Sequence, residues 1–441
     1  MKHWIEDIAK AGDLLQVSRK VDPRHELAAV VKAIQKDGEK AVRFARVAGS
    51  QMPVVSNLYG SHKRLCDLIQ APEDGFCKTW TDLTANAARD WRDCVEIIDR
   101  PQGLTHGKMS DLPQITYHGK DAGPYVTSAI YISKEPDSGV PNLSFHRSMM
   151  VSDDELRIRL GSSHDMARFQ AKAEGRDEPL EAALLIGVAP EIFLSACSSP
   201  PYNVSELGLA VGITGQAVRM YPARHIDMLI PETTQIVVEG RIIPNVRRPE
   251  GPFGEFMGNY VPVGDNHVFE VLDVYWQPDA IFHALLCGSP EDLRPLEAVT
   301  AARIYKHITS VVPGVLDVSC RPNVMITIIR IDKQYEGHGQ HVLLAALGSH
   351  LDYNKVCIVV DKDVDIYDLD DVMWAYLTRG RADTRAQVLR DIPGFYRDPQ
   401  KDHWGRLIID ATMPWGREEE FQRKTIPGEE SIDLAAYLDG T

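Results

Sequence analysis

The sequence predicts a multidomain α+β protein in which a strand-rich middle is flanked by two α/β regions. Three observations carry that expectation. At 441 residues the chain is longer than one hydrophobic core usually serves. Its middle, roughly 125–286, strings strands together with turn punctuation and few strand–helix–strand repeats, the pattern of an antiparallel barrel or sandwich. Both ends instead alternate helical and strand periodicities.

At the N-terminal end "HWIEDIAKAG" and "HELAAVVKAIQKDG" read as helices stopped by glycine, and "LLQVSRKV", "AVRFARV" and "PVVSNLYG" as strands. The stretch from Arg100 to Pro124 is rich in Pro and Gly and reads as a linker. In the middle "YVTSAIYISK", "ELRIRL", "EAALLIGV", "TQIVVEGRIIP" and "VFEVLDVYWQ" are strands, with helices inserted at "SSHDMARFQAKAEG" and "SELGLAVGITG". "PEDLRPLEAVTAARIYKHI" follows as a helix with Pro near its start, a connector between domains. The last third returns to α/β: strand "VMITIIRI", helix "GQHVLLAALGSH", buried strand "VCIVV" and helix "DLDDVMWAYLTRG", begun by Asp and ended by Gly. The division that results is an N-terminal α/β region (1–100), a middle domain (101–290), a connecting helix (291–312) and a C-terminal α/β domain with a tail (313–441).

Composition narrows the function. With 44% hydrophobic and 25% charged residues and a net charge of −15, the chain has no basic stripe, which argues against nucleic-acid binding. No apolar run is long enough to span a bilayer, and "MKHWIEDIAKAGDLLQV" lacks the apolar segment of a secretory leader. The seven cysteines are odd in number and scattered without CxxC, as expected of structural thiols in a reducing cytosol. The expectation is a cytoplasmic enzyme.

Several motifs fail on spacing. "VDKDVDIYDLDD" resembles a calcium loop, but counted from Asp361 the positions that need Gly and Glu hold Ile366 and Val372. Acids at a strand end and a helix N-terminus are the plainer reading. "GLAVGITG" lacks dinucleotide spacing, and neither GxSxG nor a Walker A motif occurs. Four candidates remain. "PNLSFHRSMM" places Asn142 and Arg147 on a short segment suited to an anion. His164 in "GSSHDMARF" opens a helix where backbone N–H groups favour phosphate, or is incidental beside a capping Ser162 or Ser163. Glu206 in "NVSELGLAVG" is a ligand, or an acid in a first turn capped by Ser205. "RRPEGPFGEFMGNY" holds Glu250 and Glu255 on Gly- and Pro-rich backbone, either an exposed acidic loop or a pair of carboxyls tuned apart.

Taken together and in this order, the segments resemble the UbiD family of prenylated-flavin-dependent decarboxylases. The resemblance covers most of the chain and is strongest in "PNLSFHR", "LGSSH", "SELGLAVG", "PETTQIVVEGRIIP", "EGPFGE" and "VVDKDVDIYDLDDVMWAYLTR". It implies a flavin-reductase-like split β-barrel in the middle. It also implies prenylated FMN held through its phosphate by a divalent ion, usually Mn²⁺, with K⁺ alongside. Asn142, His164 and Glu206 take the metal-ligand positions, while Leu143, Ser144, Phe145, His146, Arg147 and Ser163 complete the cofactor cradle. The implied reaction is reversible, non-oxidative decarboxylation of an aromatic or heteroaromatic acid through a covalent substrate–cofactor adduct. Arg147 binds the carboxylate, Glu250 pairs with Arg147, and Glu255 protonates the carbon that loses CO₂. Phe256, Phe395 and Arg397 are the pocket candidates, and a buried Arg397 would call for a second polar or carboxylate group on the acid. The implied partners are a flavin prenyltransferase that supplies the cofactor and further copies of the chain, as a homodimer or hexamer. A non-catalytic subunit of a carboxylase complex and an oxidoreductase using plain FMN are the alternatives.

Overall fold

The chain was analysed as a computed structural model that describes residues 1–87, 90–349, 353–392, 394–395, 398, 405–428, 431–433 and 436–437. It divides into two compact units, one of residues 1–306 with 320–324 and one of 307–319 with 325–441. The fold class is the expected one, mixed α+β with a curled half-barrel sheet.

The first unit is organised by a nine-stranded sheet whose pairings are all antiparallel. Its spine is a hairpin of two long strands, Ile236–Glu250 and Gly264–Trp276. Along the first half of the former and the facing second half of the latter, alternating Ile236, Val238 and Ile242 and the facing Phe269 and Val274 are buried in the core. The strand Leu180–Ile186 pairs with Ile236–Glu250 only as far as Ile242. Beyond that point Ile236–Glu250 is bonded on one side alone, to the partner strand at Gly264 to His267. This explains how Pro249 sits inside a strand: a residue with no N–H is tolerated where no ladder bond is asked of it. The Gly- and Pro-rich stretch 247–260 begins as the one-sided end of a long strand and continues as a small hairpin, Phe253–Gly254 with Tyr260–Val261. "PNLSFHRSMM", the short segment that carries Asn142 and Arg147, forms two strands, Pro141–Phe145 and Ser148–Met150.

The N-terminal strands Leu14–Val17, Ala41–Phe44 and Val54–Ser56 form a separate four-stranded sheet, completed by Phe282–His283 from far along the chain. One buried carboxylate fastens this join. Glu291, in the first turn of the helix Pro290–Thr309, accepts bonds from Asn57 N (2.5 Å), Leu58 N (2.7 Å) and Ser56 Oγ (3.2 Å) and lies 2.9 Å from His283 Nε2.

The second unit carries a five-stranded sheet in the order Val315–Ser319, Ile326–Ile331, Val356–Asp361, Arg406–Asp410, Ala386–Leu389, with the three middle strands parallel. The helix Leu369–Arg379 starts at Asp368, whose side chain accepts from Asp370 N, and stops at Gly380, as its sequence predicts. The acids of the false calcium loop hold cations of the protein itself. Asp361 and Asp363 bind Arg379, and Asp363 and Asp371 bind Arg423, whose guanidinium lies 3.8 Å from the centre of the Trp374 ring. All seven cysteines are free thiols, five of them buried. Among the described residues no helix is long and apolar enough to cross a membrane.

Two stability predictions follow from buried carboxylates. Glu291→Ala leaves two backbone N–H groups and His283 without their acceptor and should cost about 3 kcal/mol, read as a lower denaturant midpoint. For Glu135 burial alone would raise the carboxyl above its ordinary 4.5, but Lys172, Ser138 and the Asp137 N–H bring it down to about 2. Its stabilisation is thus present above 4.5 and lost as pH falls toward 2, because the unfolded chain takes up the proton first. Glu135→Gln should lower the melting temperature at pH 7, and the gap to the unsubstituted protein should close by about pH 2.

Candidate active site

The carboxylate of Glu250 is the most heavily bonded side chain of the candidate site. It is 1% exposed, at the end of the long strand Ile236–Glu250. Arg147 reaches it with two bonds, Nε to Oε1 at 3.1 Å and Nη2 to Oε2 at 2.8 Å. Tyr125 Oη donates to Oε1 at 2.8 Å and Asn266 Nδ2 to Oε2 at 2.9 Å. Four donors thus saturate two oxygens, the environment of a fixed anion. Burial and the adjacent Glu250 charge push the Tyr125 hydroxyl well above its ordinary range, so it stays a donor. Arg147 lies over the ring of Phe253, 4.7 Å from its centre, and Tyr125 packs on the same ring at 4.5 Å. Phe253 of "GPFGE" is therefore a shelf for the arginine.

Glu255 is equally buried, at 5% exposure, but is built differently. It ends the short strand Phe253–Gly254, and its own backbone closes the turn: Glu255 N donates to Asn259 O and Gly258 N to Glu255 O, both at 2.9 Å. One carboxylate oxygen accepts from Met257 N at a long 3.3 Å. The turn is clasped by residues that the sequence reading treats as linker. Asp121 accepts from Gly254 N (2.8 Å) and His118 N (2.8 Å), and Ala122 N donates to Pro252 O. Only glycine fits at 254, since a Cβ there would stand 2.5 Å from His118 Nδ1. Cys287 sits in the field of Asp292, Glu255 and Arg147 together. The alternative of an exposed acidic loop is excluded, since both glutamates are buried.

Asn142 and Glu206 also meet. Asn142 Nδ2 donates to Glu206 Oε1 and Leu143 N to Oε2, each at 2.8 Å. Ser144 Oγ donates to Asn142 Oδ1 and lies 2.9 Å from His146 Nε2, and the His146 ring is 5.1 Å from that of His164. His164 is itself the residue that opens the helix Asp165–Glu174, and its side chain makes no capping bond. Glu206, 2% exposed, is no solvated first-turn acid. Burial pushes its carboxyl up to about 8. Phe145 packs edge-on against Phe193, and Ser163 lies in the exposed turn before His164. Among the described residues no group of three His, Cys, Asp or Glu side chains is arranged to hold a metal. The predicted trio contains only two such groups, with the Asn142 amide as the third. One carboxylate, one imidazole and one amide oxygen are nevertheless ligand types that suit a divalent cation taking its remaining ligands from an anion.

Phe256 is half-buried in the turn after Glu255. Phe395 belongs to the second unit, where it is buried with its ring 5.8 Å from that of Tyr353. Arg397 lies outside the described residues. Tyr125, Asn266, Phe253 and Asp121 are the site residues that the sequence reading missed. None carries a local signal, because each acts on a partner far along the chain or, for Asn266, across a hairpin.

Comparison with known proteins follows the same segments. Three family models match: the 3-octaprenyl-4-hydroxybenzoate carboxy-lyase N-terminal domain over 5–84, its Rift-related domain over 101–290 and its C-terminal domain over 295–411. The anhydromevalonate phosphate decarboxylase of Methanothermobacter thermautotrophicus is 28% identical over 431 residues, 96% of this chain and 99% of that one. The protein of the same name from Methanocaldococcus jannaschii is 33% identical over 75% of this chain and 78% of its own. Among solved structures, the UbiD-class enzyme HmfF from Pelotomaculum thermopropionicum in complex with FMN matches with a TM-score of 0.93 and 31% identity over 99% of both chains.

The bonding around Glu250 makes a prediction independent of any substrate. Tyr125→Phe and Asn266→Leu should each cost about 1–2 kcal/mol of unfolding free energy. The double variant should depart from the sum of the single losses, since both donors serve one carboxylate. Additive losses in a denaturation cycle would separate the two donors.

Proposed function

This chain belongs to the UbiD family of carboxy-lyases, and we propose that it decarboxylates a small unsaturated acid with Arg147, Glu250 and Glu255 as its working residues. The observation that carries the proposal is the contrast between the two glutamates. Glu250 is saturated by four donors and held as an anion, so it can orient Arg147 but has no proton to give. Glu255 is buried in the next turn, takes a bond from Met257 N and acts with Arg147 on the Cys287 thiol, and we read it as the proton donor.

Arg147 fixes the substrate carboxylate through a paired contact, so that the bond to be broken has one orientation. The carbon–carboxylate bond breaks, CO₂ leaves, and the electron pair stays on the carbon. Prenylated FMN, the family's cofactor, supplies the electron sink for that pair when bound. Glu255 then gives its proton to the carbon, forming the C–H bond and becoming a carboxylate that must be reprotonated before the next turnover. Asn142, His164 and Glu206 would hold the divalent ion, Mn²⁺ or one like it, that grips the cofactor phosphate, with K⁺ alongside, and Ser163 and the 142–147 backbone would flank it. A flavin prenyltransferase supplies the cofactor, and the working form is a homodimer or a hexamer of dimers.

For the acid itself we take an aromatic or heteroaromatic ring as the first reading, the second being a phosphorylated unsaturated acid. The second is favoured by the names of the relatives that match over most of this chain. Holoenzyme made with a flavin prenyltransferase should show the mass and absorbance of prenylated FMN, and Glu255→Gln should retain that cofactor while losing turnover by at least about 100-fold. A panel of benzoate, pyridine-2-carboxylate, pyridine-2,5-dicarboxylate and anhydromevalonate phosphate decides the class. Arg397→Leu on the same panel tests the expectation of a second carboxylate on the acid. Wild-type rates in Glu255→Gln, or plain FMN as the only bound flavin, would overturn the proposal.

A further inference from the structure

The turn that carries Glu255 is backed by a second turn, Leu286 to Ser289, just before the helix Pro290–Thr309. Gly288 in that turn has φ +72° and lies flat against the Glu255 segment. A Cβ at Gly288 would stand 3.1 Å from the Phe256 carbonyl oxygen, 3.4 Å from Phe256 Cα and 3.6 Å from the Glu255 carbonyl oxygen. The left-handed backbone and the bare Cα are thus both needed for the two turns to touch. One side chain holds Gly288 in that state. Asp292, in the first turn of the following helix, accepts the Gly288 N–H at 2.7 Å. The Ser289 carbonyl closes the loop by accepting from Asp292 N at 3.1 Å.

We infer that Asp292 is a positioning residue for Glu255, acting through the Gly288 N–H to press the 286–289 turn against the backbone of Glu255 and Phe256. The inference rests on the reading of Glu255 as the proton donor. A helix needs no more than an acid in its first turn for its dipole, and Glu291 and Asp292 both supply one. The dipole alone gives no reason for a bond back to a left-handed glycine that touches the catalytic turn. The surroundings agree with a place at the site. Burial raises the Asp292 carboxyl to about 6, against the bonds from Gly288 N–H and the Cys287 thiol, and the charges of Glu255 and Glu291 add to the rise. Gly288 touches the backbone of Glu255 and Phe256, so the placing of Glu255 depends on the turn beneath it.

Crystal structures of the holoenzyme with Asp292→Ala and Asp292→Asn read the geometry without any substrate. In Asp292→Ala, Gly288 should leave the left-handed region and the Glu255 carboxyl should move by about 1 Å or more. Asn keeps an oxygen for the Gly288 N–H, so Asp292→Asn should leave both in place. With anhydromevalonate phosphate and 3,4-dihydroxybenzoate as probes, Asp292→Ala should lower kcat about 10- to 100-fold with KM and cofactor content unchanged, and Asp292→Asn should restore kcat to within a few-fold. An unmoved Glu255 in Asp292→Ala overturns the inference, as does equal damage in both variants, which would mean that charge and not the hydrogen bond matters. Glu255→Gln in the same assay keeps the two levels apart. An active Glu255→Gln removes the reading beneath the inference, whereas an inactive one beside an unaffected Asp292→Ala removes the inference alone.

Discussion

The candidate site depends on a buried ion pair, Arg147 with Glu250. Two charges taken out of water are stable only if every lone pair and proton finds a partner, and breaking such a pair from one side costs about 3–5 kcal/mol. Here the remaining demands of Glu250 are met by Tyr125 and Asn266, and the face of Arg147 by the Phe253 ring. These five residues come from four places in the chain, so satisfying one carboxylate sets the register between strands that local sequence leaves free. Asn266 carries the constraint one step further, since its Oδ1 accepts from Arg159 Nη1 at 3.0 Å. The polar chain is continuous from Tyr125 to Arg159, the condition under which a buried network rigidifies.

The sheet explains how such a network can reach a recess at all. A central strand would spend its backbone on ladder bonds at both edges, and its ends would be covered. The long strand Ile236–Glu250 is central only to Ile242 and bonded on one side thereafter. Its single-sided end admits Pro249, then the turn at Gly251, and so presents Glu250 and Glu255 on backbone that is fixed but not covered by a neighbouring strand. Under the proposed mechanism rigid fixing matters, because proton transfer to carbon tolerates little error in position. The clasp by Asp121 and the contact from Gly288 supply that fixing from two directions.

Acidic residues serve three separate ends in this chain, and type alone does not tell them apart. Glu291 and Asp361 are structural acceptors, the first for backbone N–H groups and the second for Met413 N and Arg379. Glu250 is the shared acceptor of Arg147, Tyr125 and Asn266. Glu206 is buried, with Asn142 Nδ2 and Leu143 N donating to its oxygens, and burial raises its carboxyl. What separates them is the set of groups facing each carboxylate.

How much of this was legible in the sequence follows from the range of each interaction. Helix ends at Gly38, Asp368 and Gly380, the buried parallel strand Val356–Asp361 and the failure of the calcium loop at Ile366 and Val372 are properties of neighbouring residues, and periodicity and capping reach that far. The segments "PNLSFHR", "SELGLAVG" and "EGPFGE" were distinctive enough as words to point to a family, since folding alone does not demand Asn142, Arg147, Glu206, Glu250 and Glu255 in that order. The sequence by itself therefore determined the class of fold, its elements and which acids and bases to suspect. Only the tertiary structure decided that Pro249 lies on a strand with one free side, that a supposed linker closes over Gly254, and that Tyr125 and Asn266 share Glu250 between them. Those outcomes depend on which strand edge is left unpaired and which buried oxygen still lacks a donor, and neither quantity exists until distant parts of the chain have come together.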